Sequence, residues 1–323
     1  MFNFVKRRKW YFSVSGIILL AGIISLSVTG LKPGIDFVSG STMTIDFVQE
    51  VPQADLRAKL ETLGHGDAVI QETGDDYYYI RTRQLEPSQG GKPSEQAQIE
   101  TELRATFGTL EIKDSASVSS IISTQTVRNA GYAVLAAVVG ILLYITWAFR
   151  KLPKPFHYGV CAVIALFHDM LIMIGIFSIL GWAANVEVNS MFIIAALTIL
   201  GYSVNDTIVV FDRIRENLLK GISKDFATTI NVSINESLGR SLATSATTLL
   251  VLLALYLFGG ATISVFVLAL IIGVVSGTYS SICIASQILV SWEQGTFGRI
   301  YRRVKGLFGK GEPITIGGED QQA

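Results

Sequence analysis

Gly201-Tyr-Ser-Val-Asn-Asp-Thr-Ile-Val-Val-Phe-Asp-Arg-Ile-Arg-Glu-Asn217 decides how this chain is read. The stretch begins inside an apolar run, Val188 to Phe211, and places the Asp206 carboxylate where hydrocarbon is expected. An ionisable group inside a spanning helix is costly and rare, and marks a functional site by default. At helical spacing Thr198, Tyr202, Asn205, Asp206 and Val209 share one stripe, with Ile199, Leu200 and Ile208 on the opposite face. The spacing predicts a helix whose polar stripe faces other protein, with lipid behind it. A carboxylate that only fixes helix packing is the competing explanation. The cost of burying it argues against packing alone.

Outward from this stretch lie five more apolar runs, roughly 11–29, 129–149, 156–182, 242–258 and 261–292. Hydrophobic residues make up 50% of the chain, which places it in the membrane class. Lys plus Arg and Asp plus Glu each number 26, so the formal net charge is zero and no nucleic-acid partner is indicated. Cys161 and Cys283 both sit in apolar runs, as buried packing residues do, and support neither a disulfide nor a metal site. His65, His157 and His168 form no ligand cluster, so no metal or cofactor is expected.

The first run follows Lys6, Arg7, Arg8 and Lys9 and is long enough to cross a bilayer. A cleaved leader shares this signature, but the run is long and no clear Ala-x-Ala site follows, so it reads as a signal anchor. Basic residues recur in alternate connections: Arg150, Lys151 and Lys154; Arg213, Arg215, Lys220 and Lys224; Arg299, Arg302, Arg303 and Lys305. The connections at 181–187 and at Gly259-Gly260 contain no Lys or Arg. Positive-inside reasoning then gives six spans, both termini in the cytoplasm and a multi-pass protein of the cell membrane.

Residues 31–126 form the one long polar segment between spans. Gly34-Ile-Asp-Phe-Val-Ser-Gly40 links the membrane to a strand at 41–48 that alternates Met43, Ile45 and Phe47 with Thr42, Thr44 and Asp46. A helix is predicted over 52–63, strands over 68–73 and 76–83 around a Gly74-Asp75 turn, and a loop over 84–93. A second helix over 94–107 has Ser94 as N-cap, and a last strand falls within 111–122. The order βαββαβ predicts a ferredoxin-like α+β domain outside the cytoplasm, inserted after the first of six transmembrane helices. The chain therefore divides into 1–30 (N-terminus and first span), 31–126 (outer domain), 127–292 (five spans) and 293–323 (tail). Within the five-span region, 212–239 is a cytoplasmic connection, an amphipathic helix lying along the membrane or against the bundle. The tail beyond Gly306 reads as disordered.

Two further charges need places. Arg240 opens the fifth run; if its helix starts near Ser237, its side chain can reach the level of Asp206, and a pair would lower the desolvation cost of both. Small movements of that arginine could then load or release a proton. Asp169, preceded by His168, is the weaker candidate, for either a relay or a local helix–helix hydrogen bond. Gly273-Val-Val-Ser-Gly277 is a small-xxx-small face that reads as close helix packing.

Gly34-Ile-Asp-Phe37, Gly201 to Asn217 and Gly239-Arg-Ser-Leu-Ala-Thr-Ser245 together resemble the SecF family, the smaller membrane subunits of the bacterial SecD–SecF export complex. The likeness covers most of the chain; Val38-Ser39-Gly40 stands where the family usually has a glycine pair. The layout also resembles half of a resistance-nodulation-division transporter. The resemblance implies a non-enzymatic auxiliary of the Sec translocase. Its implied partners are SecD, a SecY-type translocon with its accessory subunits, preprotein substrates and the lipid bilayer. It further implies that protons are the coupling ion, with Asp206 and Arg240 on the family's proton path. An exporter of lipids or small molecules from the same superfamily, and a purely structural subunit, share the architecture.

Overall fold

The computed structural model describes residues 2–73, 77–88 and 92–295. The chain runs from helix α1 (Arg8–Val28) through one helical turn, α2 (Ile35–Val38), into β1 (Gly40–Phe47), α3 (Gln53–Thr62), β2 (Val69–Thr73), β3 (Tyr77–Thr82), α4 (Glu95–Phe107) and β4 (Leu110–Val118). Long helices follow: α5 (Ser120–Ala148), α6 (Pro155–Ala184), α7 (Ser190–Lys220), α8 (Phe226–Phe258) and α9 (Ala261–Ser280). A single π turn, Ser281–Ala285, joins α9 to α10 (Ser286–Glu293). Among the described residues six helices are long and apolar enough to cross a membrane, the last running from Ile263 to Glu293 through the π turn.

The α/β unit is one antiparallel sheet in the order β2-β3-β1-β4. Alternation along β3 sends Tyr78, Ile80 and Thr82 inward and leaves Tyr77, Tyr79 and Arg81 on the other face. Met43, Ile45, Leu56, Leu60, Ile80 and Leu103 form a closed core, so α3 and α4 bury their leucines against one side of the sheet. Ser94 caps α4 by accepting from the Ala97 N–H at 3.2 Å. The turn expected at Gly74-Asp75 and the tail after Gly306 lie outside the described residues.

Two boundaries differ from expectation. The last strand stops at Val118, where Ser119 turns the chain and its side chain accepts from the Ile122 N–H. Helix α5 therefore absorbs residues 120–122 and begins well before 129; serine capping outweighs the weak alternation there. The amphipathic connection expected at 212–239, along the membrane or against the bundle, is divided between the ends of two long helices, and its Ile214, Ile230 and Ile234 pack into the bundle core. Helix α7 continues to Lys220 and ends on Gly221, whose φ of 64° suits a residue without a side chain. Asp225 then caps α8 by accepting from the Thr228 N–H at 3.0 Å. Arg213 pairs with Glu236 at 2.8 Å and Asn217 donates to Ser233 at 3.0 Å, so the polar spacing serves contacts across this hairpin.

Candidate functional site

Helix α7 presents a different face from the one its polar stripe predicts. Ile199 and Leu200 are 1% and 2% exposed, whereas Thr198 and Asn205 face outward. The reason is α9. A Cβ on Gly273 would stand 2.2 Å from the Ile199 side chain, and one on Gly277 2.9 Å from Ser203 Cβ. These glycines admit Ile199 and bring Ser203 against α9, and this close approach settles the rotation of α7. Both glycines thus sit at the α7–α9 contact.

Asp206 remains on the buried side, 8% exposed, and accepts a hydrogen bond from Ser281 Oγ at 2.5 Å. Ser281 opens the π turn, which loosens the helix at the carboxylate. Ser286 Oγ donates to the Ser281 carbonyl at 2.9 Å and Gln287 Nε2 to that of Ile282 at 3.2 Å, satisfying the widened turn from within. Single π turns of this kind recur at functional sites.

Arg240 is exposed and forms no ion pair with Asp206 among the described residues. The contacts Arg213–Glu236, Asn217–Ser233 and Tyr202–Ser245 set an antiparallel register that brings Arg240 and Ser241 near the level of Asp206. Ser241 takes the inward position and Arg240 the outward one. The expected contact is therefore absent in this conformation: the depth agrees and the direction does not.

Asp169 is 0% exposed and has more partners than Asp206. Its Oδ1 accepts from Ser276 Oγ at 2.7 Å and lies 3.0 Å from His168 Nδ1; its Oδ2 accepts from Ser203 Oγ at 2.6 Å and Ser280 Oγ at 2.7 Å. The two acids are linked from both sides. Ser203 precedes Asp206 by one turn of α7, and Ser280, bonded to Asp169, adjoins Ser281, bonded to Asp206. Four serines thus tie α6, α7 and α9 around two carboxylates. The serine spacing at 276 and 280 is a readable signal of one helix face, whereas Ser15 and Tyr279, which extend the cluster to α1, carry none in the sequence. Among the described residues no group of three or more His, Cys, Asp and Glu converges as metal ligands would.

A second polar cluster joins the α/β unit to the outer end of α7. Asp36 Oδ2 accepts from the Ser190 N–H at 2.7 Å, capping α7 from another part of the chain. The Gly34 N–H donates to the Val188 carbonyl at 2.7 Å and the Val188 N–H to that of Lys32 at 2.8 Å. Arg81 of β3 pairs with Glu187 at 3.2 Å and donates to the Pro33 carbonyl at 2.8 Å. Burial raises the Glu187 carboxyl above the usual range, opposed by Arg81 and Lys32; burial and Glu187 push the Tyr79 hydroxyl up to about 12.

Fold and site together define a polytopic membrane protein with an ionisable core and a small α/β domain attached to one of its core helices. Residues 98–295 match the family model "Protein export membrane protein SecD/SecF, C-terminal", and residues 24–51 match the "SecD/SecF GG Motif" model. The "Protein translocase subunit SecF" of Thermobaculum terrenum is 43% identical, the alignment covering 94% of this chain and 98% of that one. That of Anaerolinea thermophila is 36% identical, again over 94% and 98%. The crystal structure of SecDF, a translocon-associated membrane protein from Thermus thermophilus, superposes with a TM-score of 0.78 at 32% identity. It is matched over 91% of this chain, which spans 39% of that longer one. The chain belongs to the SecF family of the protein-export machinery.

Proposed function

We propose that this chain acts with a SecD partner as an auxiliary subunit of the Sec translocase, and that protonation of Asp206 drives movement of the α/β domain to promote preprotein export. One observation carries the reading. Asp206 lies on the same unbroken helix whose far end is capped by Asp36 and held near Arg81 of the α/β unit. From Ser190 to Asp206 is about 24 Å at 1.5 Å per residue, so α7 is a rod between an interior acid and the domain it must move. The sheet order β2-β3-β1-β4 supports reading the α/β unit as ferredoxin-like, and we place it on the extracytoplasmic side with both termini cytoplasmic; the basic connections support this orientation.

One proton crossing a potential of about 100 mV releases about 2.3 kcal/mol, enough to bias two conformations that differ by a few kcal/mol. Loss of charge on Asp206 weakens its bond with Ser281 and frees the π turn to re-form, shifting α7 against α9. Arg240, exposed as Asn205, Thr244 and Thr247 also are, would be costly against lipid. Helices of SecD covering this face would shelter Arg240, and inward rotation of its side chain in another stage of the cycle would bring it to Asp206. Asp206→Asn is expected to remove the proton-dependent part of preprotein export in membrane vesicles while SecD still copurifies. Normal export by the variant would contradict the proton-site role and leave a structural subunit. Proton-driven efflux of a lipid or small molecule without preprotein movement would favour the exporter reading.

A further inference from the structure

We propose that His168 is a second proton-carrying group, one whose surroundings satisfy it in both charge states without moving a heavy atom; this rests on the proton-coupled reading above. The ring is 6% exposed, with Nδ1 3.0 Å from Asp169 Oδ1 and Nε2 3.0 Å from Ser15 Oγ. Ser15 Oγ in turn lies 3.2 Å from the Tyr279 hydroxyl, which donates to the Tyr11 carbonyl at 3.0 Å. That last bond uses the single proton of Tyr279, leaving its oxygen free to accept.

Ser15 therefore has one proton and two acceptors within reach. With His168 neutral, Nδ1–H donates to Asp169, and the Ser15 hydroxyl turns its proton to Nε2. With His168 doubly protonated, Nε2–H donates to Ser15 Oγ, and the same hydroxyl turns its proton to Tyr279. No buried donor or acceptor is orphaned in either arrangement, and an orphaned group is the usual obstacle to a proton site in a protein interior. The added charge is compensated by Asp169, which the hydroxyls of Ser203, Ser276 and Ser280 stabilise as a carboxylate. The titratable groups facing this centre are Tyr11 from α1, Asp169 from α6, Tyr279 from α9 and, farther out, Cys283 of the π turn beyond Tyr279 and Arg7 beyond Tyr11. Asp206 of α7 is reached through Ser280 and Ser281. Among the described residues, Asp169 is the ion-pair partner of His168 and no lysine or arginine joins it.

The test uses the full chain copurified with SecD, with His65→Gln and His157→Gln leaving His168 as the one histidine of this chain, and SecD unlabelled. Nitrogen NMR of the ¹⁵N-histidine-labelled subunit in bilayers should show conversion from the Nδ1–H neutral ring to the doubly protonated ring between pH 9 and pH 5. Ser15→Ala removes the charge-assisted bond from Nε2–H of the doubly protonated ring as well as the weaker neutral bond to Nε2, and the difference should lower the midpoint by about one pH unit; Ser15→Thr should restore it. A ring that keeps one charge state across this range, or a midpoint indifferent to Ser15→Ala, overturns the proposal. Asp206→Asn in the same background separates the two claims. Export that survives this variant defeats the proton-coupled function whatever His168 does. Export lost with Asp206→Asn while His168 fails to titrate defeats the present inference alone.

Discussion

Arg81 Nη1 lies 3.2 Å from a Glu187 carboxylate oxygen, joining the strand β3 of the α/β domain to the turn that begins α7. The two side chains are 25% and 14% exposed, so water screens the pair only in part. Beside it, Asp36 caps the same helix, and the two contacts fix the domain to the rod that carries Asp206.

Burial raises the Glu187 carboxyl, with Arg81 and Lys32 opposing. A raised value means that the docked state binds the proton more tightly than the undocked one. The resulting stabilisation is complete below the ordinary glutamate range and is lost as pH rises through the raised value. Hydrogen exchange at residues 185–190, corrected for intrinsic rate, should therefore slow as pH falls from 7 to 5. Glu187→Gln should flatten this dependence. Faster exchange at the lower pH would show that the ion pair outweighs desolvation.

Asp36→Ala removes the cap on the Ser190 N–H and should cost about 1 kcal/mol locally. The loss should appear as faster exchange in the first turn of α7, with the α/β core around Leu56 and Leu103 unchanged. Uniform acceleration through both regions would mean that Asp36 supports the domain rather than the joint.

Asp169→Asn faces its new amide donors toward groups that already donate, because three serine hydroxyls and His168 surround the carboxylate. The expected destabilisation is about 2–4 kcal/mol. Asp206→Asn disturbs one serine bond and should cost less. Thermal unfolding of the two variants in the same detergent checks the order; equal or reversed losses would contradict the hydrogen-bond assignment.

Gly277→Ala places a Cβ 2.9 Å from Ser203 Cβ and 3.2 Å from its Cα, forcing α7 and α9 apart. Overpacking of this kind costs about 1–3 kcal/mol and here also pulls Ser203 from Asp169. Gly201→Ala meets nothing within 4 Å and should be neutral or gain up to about 1 kcal/mol in helix propensity. Thermal unfolding that fails to separate the two substitutions would contradict the close α7–α9 contact.

The spans and the α/β unit were legible because each has its own period: Leu56 and Leu60 at helical spacing, Met43, Ile45 and Phe47 at alternation. Asp206 stood out because charge is scarce in apolar runs. The facing of α7 was not legible from α7 alone, since it depends on the room left by Gly273 and Gly277 on a helix some seventy residues later. For the same reason a polar count put Asn205 inside, where packing put Ser203. The standing of Asp169 depends on Ser203, Ser276 and Ser280 from two other helices, and the contacts of His168 on Ser15, distant in sequence and unremarkable in type. The π turn has no periodic signature in an apolar run. Arg240 illustrates a further limit: its depth follows from where α8 begins, but its direction depends on packing and on whatever covers that face.

Proton movement through the complex in liposomes tests the central claim most directly. With a potential imposed and a trapped pH dye as readout, the wild-type chain with SecD should carry protons at a rate that rises during preprotein movement. Asp206→Asn should abolish that flux while the complex stays assembled. Undiminished flux through the variant would contradict the assignment of Asp206 as the proton-carrying residue.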